Sequence, residues 1–189
     1  MKMLLTSLLT GVFFLSGTVC SDDIQTKLQQ QLSGIEMSPQ GQFRQENQLQ
    51  GIPFPIKSSG QYEFSAGILS WKNLKPVESM LVLTENKVEQ YIAGEKSFSV
   101  RAEQQPILRT INQLFLSLFE HDWQALSENF ELQLIQHGEQ WEVQMHPKQD
   151  ALKAAILSAR VYGDVKIRRF EFTKSNNDQT RIWFSDENK

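Results

Sequence analysis

The strongest constraint in this sequence is its rhythm between residues 35 and 101, where short alternating segments are broken by turn signals every few residues. Strands are predicted over 59–65, 68–74, 78–83 and 88–92, with breaks at Ala66-Gly67, Lys75-Pro76 and Glu85-Asn86-Lys87. Four strands so closely connected predict an antiparallel meander. Phe43-Arg44-Gln45-Glu46 lies in an extended stretch before them. Gly51-Ile52-Pro53-Phe54-Pro55 reads as an irregular connection, because two prolines cannot both donate to a sheet ladder.

A helical block follows. Pro106 suits a first helical turn, and Ile107, Leu108, Ile111, Leu114, Phe115 and Leu118 keep the i, i+3, i+4 spacing of one apolar face. Leu116 and Phe119 widen that face, so the helix must be covered on more than one side or must itself cover something. Asp122-Trp123-Gln124-Ala125-Leu126 reads as a second short helix. Strands return over 130–136, 140–145, 155–162, 165–174 and 180–185, with turn chemistry at His137-Gly138, Gly163-Asp164 and Asn176-Asn177-Asp178. The inventory is about nine antiparallel strands with helices between them.

The N-terminus has a separate character. Lys2, an apolar run over 4–15 and small residues before Asp22-Asp23 make a secretory signal, too short to span a membrane comfortably. Cleavage after Ser21 is the expectation, leaving residues 22–189 as one exported domain in the periplasm. Lipidation of Cys20 is the alternative, disfavoured because Val19 stands where a lipoprotein signal carries Gly, Ala or Ser. A short amphipathic helix is predicted over 21–33, capped by Ser21 and the acidic pair. With only one cysteine in 189 residues, no internal disulfide is possible. Nineteen Lys and Arg against 22 Asp and Glu leave no positive surplus, which argues against a nucleic-acid partner.

Catalytic chemistry is not visible. There is no Gly-x-Ser-x-Gly, and His121, His137 and His146 stand at a helix end, a turn and before a proline. His121 at the end of an apolar helix would suit the helix dipole as a cation. Asp22-Asp23 caps a helix, Glu85 and Glu89 flank a turn, and Lys166, Arg168 and Arg169 read as a solvated face with a bulge at Arg168-Arg169. No metal-ligand spacing occurs. The notable residues are apolar: Phe43, Tyr62, Phe64, Trp71, Leu81 and Leu83 in the meander, and the broad helix face after it. On composition alone they make an ordinary core.

The stretch 42–94 resembles the bacterial periplasmic lipoprotein carrier family, the LolA proteins. The matching residues are Phe43-Arg44-Gln45, Gly60-Gln61-Tyr62-Glu63-Phe64, Leu69-Ser70-Trp71, Pro76, Met80-Leu81-Val82-Leu83, the turn Glu85-Asn86-Lys87, and Tyr91. The resemblance implies an α+β fold: an incomplete antiparallel β-barrel, or half-barrel, with a helical lid over an apolar cavity. It further implies a monomeric carrier that takes acyl chains from an inner-membrane release complex to an outer-membrane acceptor, with no catalytic residues, cofactor or metal. Phe43, Tyr62, Phe64, Trp71, Leu81 and Leu83 would bind the acyl chain, and Ile111, Phe115 and Leu118 would form the lid's underside. A carboxylate at Leu118 would then abolish binding in a folded protein. Two positions depart from the family: Ser65-Ala66 replaces the Arg-Pro pair whose arginine helps hold the lid, and Glu85-Asn86 replaces the Asp-Gly turn. A carrier of another acylated molecule, such as a glycolipid or polyene lipid, fits the residues equally. The other classes are a periplasmic binding domain with a filled core and an enzyme whose site is not legible.

Overall fold

The computed structural model describes Gln30, Leu32 and residues 34–186. The export signal over 1–21, Cys20 and the helix over 21–33 lie outside the described residues, except that Gln30 and Leu32 are helical and Leu32 is fully buried. Six strands come first: β1 (Gln40–Gln48), β2 (Ile56–Ser65), β3 (Ile68–Lys75), β4 (Ser79–Thr84), β5 (Lys87–Ile92) and β6 (Glu95–Arg101). A 3-10 turn at Ala102–Gln104 leads into α1 (Pro106–Glu120), then α2 (Trp123–Asn129). The chain continues through β7 (Phe130–His137), β8 (Gln140–Pro147), the one-turn α3 (Asp150–Lys153), β9 (Ile156–Gly163), β10 (Ile167–Lys174) and β11 (Gln179–Ser185).

All eleven strands form one antiparallel sheet in the order β6-β5-β4-β3-β2-β1-β11-β10-β9-β8-β7. Every neighbouring pair but one is consecutive in the chain. The exception is β1 with β11, which sets Phe43 opposite Phe184 and Asn47 opposite Thr180 and joins the two meanders. The α+β half-barrel expectation is corrected here. The fold is an open sheet with β6 and β7 as its two edges, 57% strand against 18% helix. The helices expected over the middle of the chain are present, but strand was under-read. In β6 the apolar alternation is limited to Phe98 and Val100, too short to announce a strand, and only Val100 is even half-buried.

Period-2 alternation divides the sheet into two faces. Inward positions carry Phe43, Tyr62, Leu69, Trp71, Leu83, Val88, Val143, Met145, Val161, Phe170 and Ile182, all buried. The outward positions are charged or amphipathic. The Arg44 guanidinium lies over the Trp183 ring at 4.4 Å, and that of Arg169 over Tyr162 at 3.8 Å. Glu171 pairs with Arg169 at 3.3 Å and Arg181 at 3.8 Å. The expected bulge occurs as a register shift between Ile167 and Arg169. Of the two turn carboxylates, Glu85 is exposed, while Glu89 is held by Lys87 at 2.7 Å and Lys96 at 2.6 Å, which keep its carboxyl down to about 2.

Helix α1 begins without a side-chain cap at Gln105, and its C-cap, His121, adopts a left-handed conformation (φ 58°). Asp122 then caps α2 by accepting from the Ala125 N–H at 2.8 Å. Trp123 of α2 meets Trp141 of β8 edge to face, with ring centroids 6.4 Å apart. The two helices thus lie on the inner face, where the broad apolar stripe of α1 finds its partners.

Candidate functional site

The inner face of β1, β2, β3 and β11 gathers aromatic rings beneath α1. Phe43 stacks on Trp71 with centroids 3.8 Å apart, and Tyr62 lies 6.1 Å from Trp71. The register explains this: Tyr62 faces Trp71 across β2 and β3, while Phe43 faces Gly60 across β1 and β2. From α1, Phe119 enters the cluster at 5.3 Å from Tyr62, 5.7 Å from Phe64 and 6.1 Å from Phe184. One helical turn earlier, Phe115 packs edge to face on Phe170 at 5.4 Å and Phe172 at 6.4 Å.

Between these groups a cavity of about 100 Å³ remains, lined by Gln45, Leu69, Trp71, Leu81, Leu83, Phe115 and Ile182. Four of its seven walls are residues singled out in the sequence. Phe43, Tyr62 and Phe64 stand in the adjoining ring cluster rather than at the cavity wall, and Tyr62 and Phe43 are buried there. On α1, Phe115 lines the cavity and Ile111 is half-buried against the core. Leu118 is only 4% exposed, so it is core. A carboxylate there would be trapped without a partner, and a folded Leu118→Glu protein is not the expected outcome. A larger hollow of about 440 Å³ lies between the β2–β3 and β4–β5 turns and the helices, but its walls include Glu85, Glu120, Asp122 and Glu128 and offer an acyl chain little.

Sequence reasoning missed how α1 is held. Asn112, 1% exposed, donates its amide to the backbone oxygen of Thr84 at the end of β4. Its own side-chain oxygen is buried with no partner among the described residues. At the helix end, His121 accepts from the Met37 N–H through Nε2, which ties the C-terminus of α1 to the segment before β1. Ala66 occupies the tight turn between β2 and β3 (φ 50°), leaving no arginine to reach the helix. An asparagine within the stripe Leu108, Ile111, Phe115 was the one available signal, since a polar residue on an apolar face needs a specific partner. Leu69, Phe119, Ile182 and Phe184 were also missed. Phe119 had been read as widening the apolar face without an assigned partner, and the other three gain their place only when β1 pairs with β3's neighbour and with β11.

Burial pushes the Tyr62 phenol up from the usual 10 to about 12, with the nearby Asp186 charge adding to the shift and Arg168 opposing it. Because the folded value lies above the unfolded one, the associated stability is fully present below pH 10 and is lost as pH rises through about 12. In an absorbance titration, one of the three tyrosines should ionise only near pH 12, and Tyr62→Phe should remove that late step. A single transition near pH 10 for all three would contradict the burial of this ring.

No helix among the described residues is long and apolar enough to cross a membrane. No known family profile matches the sequence, and no curated protein matches it. Among solved structures it is similar to a DUF1329 family protein from Desulfovibrio piger, at 9% identity over 86% of this chain and 90% of that one, with a TM-score of 0.44. It is also similar to a protein from Vibrio parahaemolyticus described as a "putative outer membrane lipoprotein-sorting protein domain", at 9% identity over 85% of this chain and 89% of that one, with a TM-score of 0.35.

Proposed function

We propose that this protein is an exported, periplasmic carrier that takes an acyl chain between α1 and the inner face of the sheet and moves it from the inner to the outer membrane. The cargo is the acyl group of a lipoprotein or of another acylated molecule. The observation that carries the proposal is the apolar cavity at the helix–sheet junction, whose walls Leu69, Trp71, Leu81, Leu83, Phe115 and Ile182 bear no charge. Such a wall holds methylenes by about 0.8 kcal/mol each without directional bonds, so cargo can be passed on. No acid, base or nucleophile is needed for this task, and the protein acts as a monomer with a donor at one membrane and an acceptor at the other.

The cavity's size sets the mechanism. About 100 Å³ is well below the roughly 300–1,000 Å³ of pockets that enclose a ligand. An acyl chain therefore enters only if α1 moves away from the sheet and the chain replaces part of the Phe115 and Phe119 contacts. The uncapped start of α1 and the orphaned oxygen of Asn112 both lower the cost of that movement.

Leu81→Trp tests this directly. Leu81 is half-buried at the cavity wall, so the larger ring can occupy the void with little strain elsewhere. Affinity for a fluorescent fatty acid should fall by about tenfold or more, with the melting temperature unchanged within a few degrees. Unaltered binding would remove this cavity from consideration. The small volume also favours a second reading, a periplasmic binding domain with a filled core, for which no acylated probe would bind the parent protein.

A further inference from the structure

We infer that the inner face carries a headgroup site beside the acyl cavity and that this site is built for an uncharged, hydroxyl-rich group, so that the cargo is an acyl chain bearing a neutral glycosyl headgroup. The inference rests on the acyl-carrier reading and narrows its substrate class.

Beside the cavity the lining of the inner face changes from wholly apolar to mixed. Gln45 closes one side of the cavity. In the strand register Gln45 stands opposite Ser58 of β2, two residues before Asn47, and shares its face. Beyond Trp71 on β3, the next inward position is Asn73, which faces Ser79 of β4 and donates to its hydroxyl at 3.2 Å. Beyond Leu81, the inward neighbour on β5 is Gln90. Six inward positions on four hairpin-connected strands and β1 are therefore polar on the side towards the β1–β2 and β3–β4 connections, where they alternate with the exposed apolar Ile56, Ile92 and Phe98. All six are half-buried, so they are neither packed away nor freely projecting.

Their chemistry is uniform. Every one is an amide or a hydroxyl, and the ionisable side chains of the same strands take the other phase. Glu46 and Lys57 pair at 3.5 Å, and Lys72 and Glu78 at 3.0 Å. Lys75 and Lys174 stand exposed at strand ends. Among the described residues, the side chains of Gln45, Ser58 and Gln90 bond to no other protein group, and Asn47 uses only its oxygen, on Thr180 at 2.8 Å. Each free amide offers two donors and an acceptor. That mixed set matches sugar hydroxyls, which both donate and accept. A phosphate or carboxylate headgroup would instead call for arginine or lysine at these positions, and a cationic one for carboxylates. Neutral side chains also lose less on desolvation than charged ones, which keeps the headgroup contact reversible.

The test uses the purified mature protein and three amphiphiles with the same twelve-carbon chain, each below its micelle concentration: dodecyl maltoside, dodecyl phosphate and dodecyltrimethylammonium. By calorimetry, the maltoside should bind about tenfold tighter than either charged probe. Asn73→Leu/Gln90→Leu, at two headgroup positions outside the cavity wall, should erase about tenfold of maltoside affinity while leaving dodecyl phosphate within about twofold, which also shows that the variant is folded and its cavity open. Equal binding of the three probes, tighter binding of a charged one, or an undiminished maltoside preference in the double variant would overturn the headgroup site while leaving the carrier reading in place. If none of the three binds the parent protein, the carrier reading itself falls, and the headgroup site with it.

Discussion

Leu118→Glu should fail to give a stable folded protein. Leu118 is 4% exposed on the face of α1 that joins the main core. The substitution removes a buried leucine, worth about 2–5 kcal/mol. It also leaves a carboxylate uncompensated in the interior, which costs about 3–5 kcal/mol more or forces the group to take up a proton. Against a total stability of roughly 5–15 kcal/mol for a domain, that is most or all of the margin. Urea denaturation followed by tryptophan fluorescence would show it, since Trp71, Trp123 and Trp141 are all buried. The contrasting variant is Phe115→Gln. Phe115 is only half-buried at the cavity wall, so its replacement should keep the fold and weaken acyl binding. If Leu118→Glu instead folds as stably as the parent, α1 is not seated on the sheet as described.

The second large effect lies at Gly60. A Cβ there would overlap the carbonyl oxygen of Lys72 and come within 2.8 Å of its carbon and 2.9 Å of the Asn73 Cα. All three are backbone atoms of β3, so no side chain can give way. The register between β2 and β3 already shifts next to this residue, between Ser59 and Gly60. Gly60→Val should therefore cost about 3 kcal/mol or more, at the upper end of overpacking effects. It should also disturb the stack of Phe43 on Trp71 directly beside it, seen as loss of near-ultraviolet circular dichroism before any loss of secondary structure. A valine variant with parental stability and spectrum would mean that the two strands are spaced more widely here.

Both predictions turn on features of different legibility. Trp71, Leu81, Leu83 and Phe115 could be named from the chain because alternation fixes which side of a strand a residue takes, and i, i+3, i+4 spacing fixes which side of a helix. Those same local rules gave the hairpins around Gly67 and Gly138, both of which have positive φ (74° and 66°). They failed for β6, where Phe98 and Val100 are the whole of the apolar phase, too short a run to read among Glu95, Lys96, Ser97 and Ser99. Leu118 has the same spacing as Phe115, but it lies in the core while Phe115 lines the cavity. His121 is a third case: the local reading named only the helix dipole, and the bond from the distant Met37 backbone N–H was not legible.

The sequence by itself determined the local alphabet: short strands, tight reversals, one broad apolar helix, and an apolar phase through Tyr62, Trp71 and Leu81. Only the tertiary structure decided that eleven strands join as one open sheet through β1 and β11, and that α1 settles on it closely enough to leave about 100 Å³. The physical reason is that a cavity is a small difference between large packed volumes. Its walls come from Gln45, Phe115 and Ile182, far apart in the chain, and no local period carries information about how completely such side chains fill the space between them.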